Sequence, residues 1–219
     1  MNMELRFDFM HLEKVLIGKY DKSVLLTYIG AASAVIGCAA ALNNSFTTAI
    51  VCLILSGVCD MFDGKVARMC DRDDIGKKFG VQIDSLADVV AFLILPSVYG
   101  YVFTNTLPQW SKSIYILYVL TGLIRLAWFN LYAATDRPVP FYTGLPVTTA
   151  AIFFPLLHLL GFFVSKKLLH ILILLVTAAM SILFVSRIRV PKFTGRWYTV
   201  CSAAAAILIA AFIALRCCV

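Results

Sequence analysis

The chain has 219 residues, of which 61% are hydrophobic and only 14% are charged. Soluble domains carry about 25% charged residues, so this composition excludes an ordinary soluble globular protein. The net charge of +7 does not indicate nucleic-acid binding, because no soluble domain remains to present a basic face. We therefore expect a lipid bilayer, and no nucleic acid, among its partners.

Residues 1–22 are predicted to form an amphipathic juxtamembrane helix on the membrane surface. Apolar residues recur there at helical spacing among charged ones, namely Leu5, Phe9, Leu12 and Leu16. This pattern is typical of interfacial helices; an irregular tail is the alternative. The segment is too charged for a secretory signal peptide and lacks the apolar centre of one.

Residues 23–219 are predicted to form one transmembrane domain. Hydropathy places seven apolar segments in it, near residues 24–42, 46–62, 81–103, 113–133, 144–164, 168–186 and 199–215. Most approach the ~20 residues that a helix needs to cross a ~30 Å hydrocarbon layer. The predicted fold class is therefore all-α, a polytopic helical bundle in which the backbone polar groups bond within each helix. The seven cysteines show no metal-binding spacing and are interpreted as reduced and structural.

Four aspartates lie at the facing ends of the second and third segments: Asp60, Asp63, Asp84 and Asp88. The members of each pair are three or four residues apart and therefore share one helical face. A carboxylate at a bilayer centre costs ~2.5–3.5 kcal/mol, so four of them together indicate a function. Two antiparallel neighbouring helices would bring both pairs to one point at the membrane boundary.

The lysines and arginines predict which side of the membrane holds these aspartates. Outside the spans, all but four of them fall on the side of the N-terminus and the aspartates, if the spans alternate in direction; the four are Lys112, Lys166, Lys167 and Arg216. The positive-inside bias then predicts a cell-membrane protein whose aspartate cluster faces the cytoplasm.

The residue types around the aspartates indicate phosphate chemistry. Converging carboxylates repel one another unless cations are present, and oxygen-only ligands favour Mg²⁺ or Mn²⁺. Gly64 and Gly80 would let a diphosphate approach the backbone, and Arg68 offers a planar fork for phosphate. Together they predict a metal-assisted phosphoryl transfer at the lipid–water interface.

The run Asp60-x2-Asp63-Gly64-x2-Ala67-Arg68, followed by Gly80-x3-Asp84-x3-Asp88, resembles the signature of the CDP-alcohol phosphotransferases. The spacing of eleven residues between Arg68 and Gly80 is longer than is usual in that family. The asparagine expected in the first span is also missing. The resemblance implies six core spans, a homodimer and two divalent ions.

The same resemblance implies residue roles. Asp60, Asp63 and Asp84 would ligate the metals, and Asp88 would contact the second ion and act as the general base. The CDP moiety would be held by Asp60, Asp63, Gly64, Ala67, Arg68 and Gly80. An acceptor hydroxyl would attack the lipid-bearing phosphorus of CDP-diacylglycerol and release CMP.

The flanking residues address which alcohol is the acceptor. The stretch that begins at Asp84 and the run Arg125-Leu-Ala-Trp-Phe-Asn130 resemble the phosphatidylserine synthases of bacteria and archaea, although Trp128 replaces an arginine. L-serine is therefore the predicted acceptor. Arg125 lies inside the fourth span, where an arginine normally faces a cavity and pairs. It would bind the serine carboxylate, with Asn130 nearby; the alternative is a structural pair with an aspartate.

Two further functions compete with this interpretation. One is the same chemistry with another acceptor, such as glycerol 3-phosphate, inositol or an inositol phosphate. The other is a cation or metabolite transporter in which the aspartates form an ion pathway. Transporters commonly place ionisable residues near the midplane, between repeated halves. Here the aspartates lie at one edge and no repeat is visible.

Overall fold

The computed structural model describes residues 17–20, 22–70, 73–133 and 141–191, together with 203, 205, 207–210 and 212. Its α-helices in chain order are α1 (Lys22–Leu42), α2 (Phe46–Met69), α3 (Asp74–Asp88), α4 (Leu95–Phe103), α5 (Ser113–Ala133), α6 (Ala150–Leu160) and α7 (Lys166–Val185). The surface helix predicted for residues 1–22 falls almost entirely outside the described residues. So does most of the apolar segment 199–215.

Among the described residues, five helical stretches are long and apolar enough to cross a membrane: Val24–Leu42, Phe46–Met69, Asp74–Phe103, Gln109–Leu131 and Lys166–Val185. The segment predicted at 144–164 contains a shorter apolar stretch, Val147–Leu160. The predicted fold class, an all-α polytopic membrane bundle, is confirmed. α2 runs seven residues beyond the predicted end of its span, because the helix continues past its apolar stretch into the polar residues of the candidate site.

The third span contains an irregular turn. Residues Val89–Ile94 are π-helical, and this turn joins α3 to α4 immediately after Asp88. The backbone N–H of Leu95 donates to the carbonyl of Val90, five residues earlier. The hydroxyl of Tyr118 on α5 donates to the carbonyl of Phe92 at 2.8 Å. A neighbouring helix therefore fixes this turn from the side.

A short ribbon of two strands was not predicted from the sequence. β1 (Phe141–Thr143) pairs antiparallel with β2 (Arg189–Pro191), with Tyr142 opposite Val190. Strands of three residues are too short to show the alternation by which strands are recognised. Gly144 follows β1 with φ +80°, and its N–H donates to the carbonyl of Ile188 at 2.8 Å. The segment after α5 is thereby fastened to the end of α7.

Aromatic side chains fill the centre of the bundle. Tyr99, Tyr118 and Phe154 are almost fully buried. The ring of Phe154 meets those of both tyrosines edge-on, with centroids 6.1 and 6.2 Å apart. Many large apolar side chains remain exposed, Ile116 and Ile182 among them, as the lipid-facing sides of a bundle would be. Tyr99, Tyr118 and Phe154 belong to the buried core of the bundle.

Candidate metal centre and active site

The aspartates predicted to converge do lie together. Asp60 on α2 and Asp84 and Asp88 on α3 each offer a carboxylate oxygen within 4.8 Å of the others. The carboxyl of Asp60 lies against that of Asp88, and the carboxyl of Asp63 lies against that of Asp84. The structure therefore brings together all four side chains that were predicted to be metal ligands. Their role as ligands stays a prediction.

Helical spacing carries the rest of the motif along the same two faces. On α2, Gly64 and Ala67 follow Asp60 by four and seven residues, which places them on one side of the helix. No atom lies within 4 Å of a Cβ built on Gly64, so the backbone there is open to a ligand. Arg68 is exposed in the last turn of α2. On α3, Gly80 lies one turn before Asp84.

The aspartates surround a small cavity between α1, α2 and α3. It is lined by Thr27, Gly30, Ala31, Ser56, Cys59, Asp60, Asp63, Asp84, Ala87, Asp88, Ala91 and Phe92. The centre of a water-sized sphere can occupy about 10 Å³ of it, which is enough for roughly one water-sized occupant. Ala91 and Phe92, from the π-helical turn, contribute apolar side chains to its lining. A space of this size suits a single ion or water molecule.

The chemistry of this lining fits a divalent cation. Four carboxylates face the cavity, and none of the lining residues carries a basic side chain. Like charges at this separation oppose ionisation unless a cation neutralises them. Carboxylate oxygens are the donors that hard divalent ions prefer. Asp60, Asp84 and Asp88 could therefore hold a divalent metal ion.

The residues predicted to bind the acceptor lie on α5, which packs beside α3. The hydroxyl of Ser85 donates to Oδ1 of Asn130 at 2.9 Å. This bond connects Asn130 to the residue that follows Asp84. Arg125 is buried, with only 6% of its surface exposed, and its guanidinium lies 5.5 Å from the ring centroid of Phe129.

Gly144, the residue after β1, lies next to the side chain of Arg125. A Cβ built on Gly144 would lie 3.3 Å from the Nε of Arg125 and 2.6 Å from the carbonyl oxygen of Phe184. Only glycine fits there, because the space is filled and φ is positive. The structure thus places a buried guanidinium beside the loop that follows β1.

Two polar contacts at the site were not predicted from the sequence. One is the hydrogen bond from the hydroxyl of Thr27 to Oδ2 of Asp63, at 2.8 Å. The other is the hydrogen bond from the hydroxyl of Ser85 to Oδ1 of Asn130. Thr27 sits in an apolar run 36 residues before its partner. Neither spacing nor hydropathy indicates such a contact, since it depends on how α1 packs against α2.

Comparison with known proteins identifies the family. A sequence model of the CDP-alcohol phosphatidyltransferase family matches residues 23–179, which span α1 to most of α7 and include every aspartate of the cavity. The chain belongs to this family. The resemblance read from the aspartate signature is confirmed.

Individual relatives within the family agree. The chain is 30% identical over 171 residues to the archaetidylserine synthase of Methanothermobacter thermautotrophicus, covering 78% of this chain and 70% of that protein. It is 33% identical over 159 residues to the CDP-diacylglycerol–serine O-phosphatidyltransferase of Helicobacter pylori, covering 69% of this chain and 63% of that protein. The enzyme of the same name from Bacillus subtilis is 30% identical over 167 residues, 71% of this chain and 86% of that protein.

Proposed function

We propose that this protein transfers a phosphatidyl group from CDP-diacylglycerol to L-serine, forming phosphatidylserine and CMP. The observation that carries the proposal is the meeting of Asp60, Asp84 and Asp88 within 4.8 Å in a chain of the CDP-alcohol phosphatidyltransferase family. The names of the relatives support serine as the acceptor. Family membership also favours an enzyme over the alternative of a transporter.

The four aspartates would hold two Mg²⁺ or Mn²⁺ ions, the number that the family resemblance implies. A bound divalent ion neutralises charge on the diphosphate and on the departing phosphate. Arg68 would bind diphosphate oxygens with its exposed guanidinium. The open backbone at Gly64, together with Ala67 and Gly80, would lie along the CDP moiety, while Asp60 and Asp63 contact it from α2.

Asp88 is the proposed general base. It lies deepest along α3, next to the π-helical turn, and its carboxyl contacts that of Asp60. The serine hydroxyl would give its proton to Asp88 as its oxygen bonds to the lipid-bearing phosphorus. The bond from that phosphorus to CMP breaks, and CMP leaves with the electron pair. General-base catalysis of this kind contributes about 10²–10⁴-fold to a rate.

Arg125 and Asn130 are the proposed acceptor-binding residues. A buried guanidinium is suited to a planar carboxylate, which it binds with two parallel hydrogen bonds. Asn130 is held by Ser85, and its amide would face the polar groups of serine. A phosphorylated acceptor would need further cations beside the cavity. The described lining residues supply none, which favours serine over glycerol 3-phosphate.

The acceptor is tested by measuring CMP release from CDP-diacylglycerol with serine, glycerol 3-phosphate, inositol and inositol phosphate. We expect turnover with serine alone, and a KM for serine raised at least about 10-fold in Arg125→Gln. Lys112→Gln is the matched control, since Lys112, just before α5, is also buried but places its ammonium over the ring of Tyr101 on α4. Turnover with another alcohol, or an unchanged KM in Arg125→Gln, would reject the serine site.

The lipid half of the donor is tested separately, because one relative is named for an archaetidyl lipid. We propose a diacylglycerol donor, in keeping with the other relatives. Equal turnover with a donor carrying the archaetidyl group would show that the enzyme does not distinguish between the two kinds of lipid chain. The homodimer implied by the family resemblance, and the division into residues 1–22 and 23–219, stay predictions.

A further inference from the structure

Among the described side chains of α1, Thr27 is the one found to hydrogen-bond to the aspartate cluster. Its hydroxyl donates to Oδ2 of Asp63 at 2.8 Å. Both side chains are buried, with 6% and 7% of their surfaces exposed, and both line the cavity. Water therefore has little access to this hydrogen bond, and a buried bond to a charged acceptor is stronger than an exposed one.

The packing of α1 against α2 brings the hydroxyl of Thr27 within hydrogen-bond distance of Asp63. A Cβ on Gly30 would lie 3.1 Å from the Cβ of Cys59, so glycine permits a close approach of the two helices. The hydroxyl of Ser56 donates to the carbonyl of Gly30 at 2.8 Å, which fixes the relative height of the helices. Thr27 lies three residues before Gly30, on the same face of α1, and so reaches the next turn of α2.

Several other buried hydroxyls of the bundle hydrogen-bond within their own helix. Those of Thr121, Thr177 and Ser181 donate to carbonyls four residues earlier, at 2.9, 2.7 and 2.8 Å. Such bonds stay within one segment of chain and orient no other group. The hydroxyl of Thr27 instead reaches a carboxylate on another helix, 36 residues away. Its geometry is that of a group which orients a metal-binding carboxylate.

We propose that Thr27 is a positioning residue of the metal centre, a role that rests on the proposed metal-dependent function. By donating to one oxygen of Asp63, it fixes the rotamer of that carboxylate and keeps the group against Asp84. Partners that orient a metal ligand in this way typically change metal affinity 10–100-fold when they are removed. In this role Thr27 acts through Asp63, so its removal should weaken metal binding more than it slows turnover at saturating metal.

Mn²⁺ binding to the purified protein, without substrate, tests this role. Free Mn²⁺ is measured by electron paramagnetic resonance in titrations of the wild type, Thr27→Val and Thr27→Ser. Valine keeps the shape of threonine and removes the donor, whereas serine keeps the donor. We expect the Kd for Mn²⁺ to rise about 10-fold in Thr27→Val and to stay within about threefold of wild type in Thr27→Ser.

Ser33→Ala is the matched control. Ser33 also lies on α1 and donates to α2, at 3.1 Å to the carbonyl of Cys52, but it does not line the cavity. We expect this variant to bind Mn²⁺ as the wild type does. Thermal melting of each variant reports whether it is folded; if Thr27→Val is not, Thr27→Ala replaces it, with the same rise in Kd expected.

The outcomes separate this inference from the proposed function. A wild type that binds no Mn²⁺ would overturn the metal centre itself, and the role of Thr27 with it. A wild type that binds Mn²⁺, with Thr27→Val equal to it, would overturn the role of Thr27 alone. Weakened binding in Ser33→Ala to the same degree as in Thr27→Val would also overturn it, because the effect would then come from helix packing.

Discussion

At the scale of single residues, a substitution of Gly64 can distinguish an effect on stability from an effect on ligand binding. Its surroundings are empty within 4 Å of a built Cβ, and it lies within a regular helix. Gly64→Ala should therefore leave the melting temperature unchanged or slightly raised, since alanine is the better helix former by about 1 kcal/mol. The added methyl would occupy space in which we place the CDP moiety, so the KM for CDP-diacylglycerol should rise.

The measurement is a melting curve and a set of initial rates at varied CDP-diacylglycerol. Ala32→Gly, at an exposed position in the middle of α1 and outside the cavity lining, makes the reverse exchange as a control for stability. A Gly64→Ala variant with wild-type KM would show that the backbone at this position does not face the donor.

At the scale of elements, the π-helical turn joins α4 to α3, the half of the third span that carries Asp84 and Asp88. Tyr118 anchors the turn through its bond to the carbonyl of Phe92. Inserting one alanine between Asp88 and Val89 adds a residue beyond the one that the π-helical turn absorbs, and should rotate α3 by ~100° relative to α4. The carboxylates of Asp84 and Asp88 would then leave Asp60, and CMP release should be abolished.

Tyr118→Phe is the milder form of this test. It removes one buried hydrogen bond, at a cost of about 1 kcal/mol of stability, and should lower the rate of CMP release partially. Tyr115→Phe, on the same helix, removes a bond of 3.2 Å to Thr104 away from the site and should lower stability alone. Wild-type rates in the alanine insertion would show that the register between α3 and α4 has no part in orienting the aspartates.

The start of α3 depends on a cap outside the membrane-spanning apolar residues. Oδ1 of Asp73 accepts from the N–H of Gly76 at 2.7 Å, and Oδ2 lies 3.3 Å from the ammonium of Lys19. The hydrogen bond from Gly76, and next the one from Lys19, hold the pKa of Asp73 below its ordinary value. The cap is therefore complete above the ordinary aspartate pKa and is lost only as pH falls through the lowered one.

Asp73→Ala should accelerate hydrogen exchange at residues 74–77 at neutral pH, because the first turn of α3 loses its acceptor. Lys19→Ala is the control and should have a smaller effect, since exposed ion pairs contribute little. Exchange that is unchanged in Asp73→Ala would show that α3 is held by its packing alone.

At the scale of the whole molecule, the sequence predicted what periodicity and charge encode. Asp60 and Asp63, and likewise Asp84 and Asp88, share faces by spacing alone, so their meeting followed once two neighbouring helices were assumed. The contact of Thr27 with Asp63 and the ribbon at Thr143 did not follow. They depend on the distance between helices and on pairing across 46 residues, which no local pattern encodes. The π-helical turn likewise reads as ordinary apolar helix.

The orientation of the bundle in the membrane is a prediction of the charge bias. One span, Asp74–Phe103, separates Met69 from Gln109, and both are exposed. A membrane-impermeant maleimide should label Gln109→Cys in intact bacterial cells, and Met69→Cys only after permeabilisation. In each case the labelling is compared with that of the parent protein, which has cysteines of its own. The reverse pattern would place the aspartates outside the cytoplasm.

The central claim is a serine-dependent release of CMP that requires the aspartate cluster. The measurement is the amount of CMP and of phosphatidylserine formed by purified protein from CDP-diacylglycerol, L-serine and Mn²⁺, compared with Asp88→Asn. Asp74→Asn, which changes an exposed carboxylate outside the cavity, is the control. We predict equal amounts of the two products, a loss of at least about 10²-fold in Asp88→Asn, and wild-type rates in Asp74→Asn. CMP release without serine, or undiminished turnover in Asp88→Asn, would contradict the account.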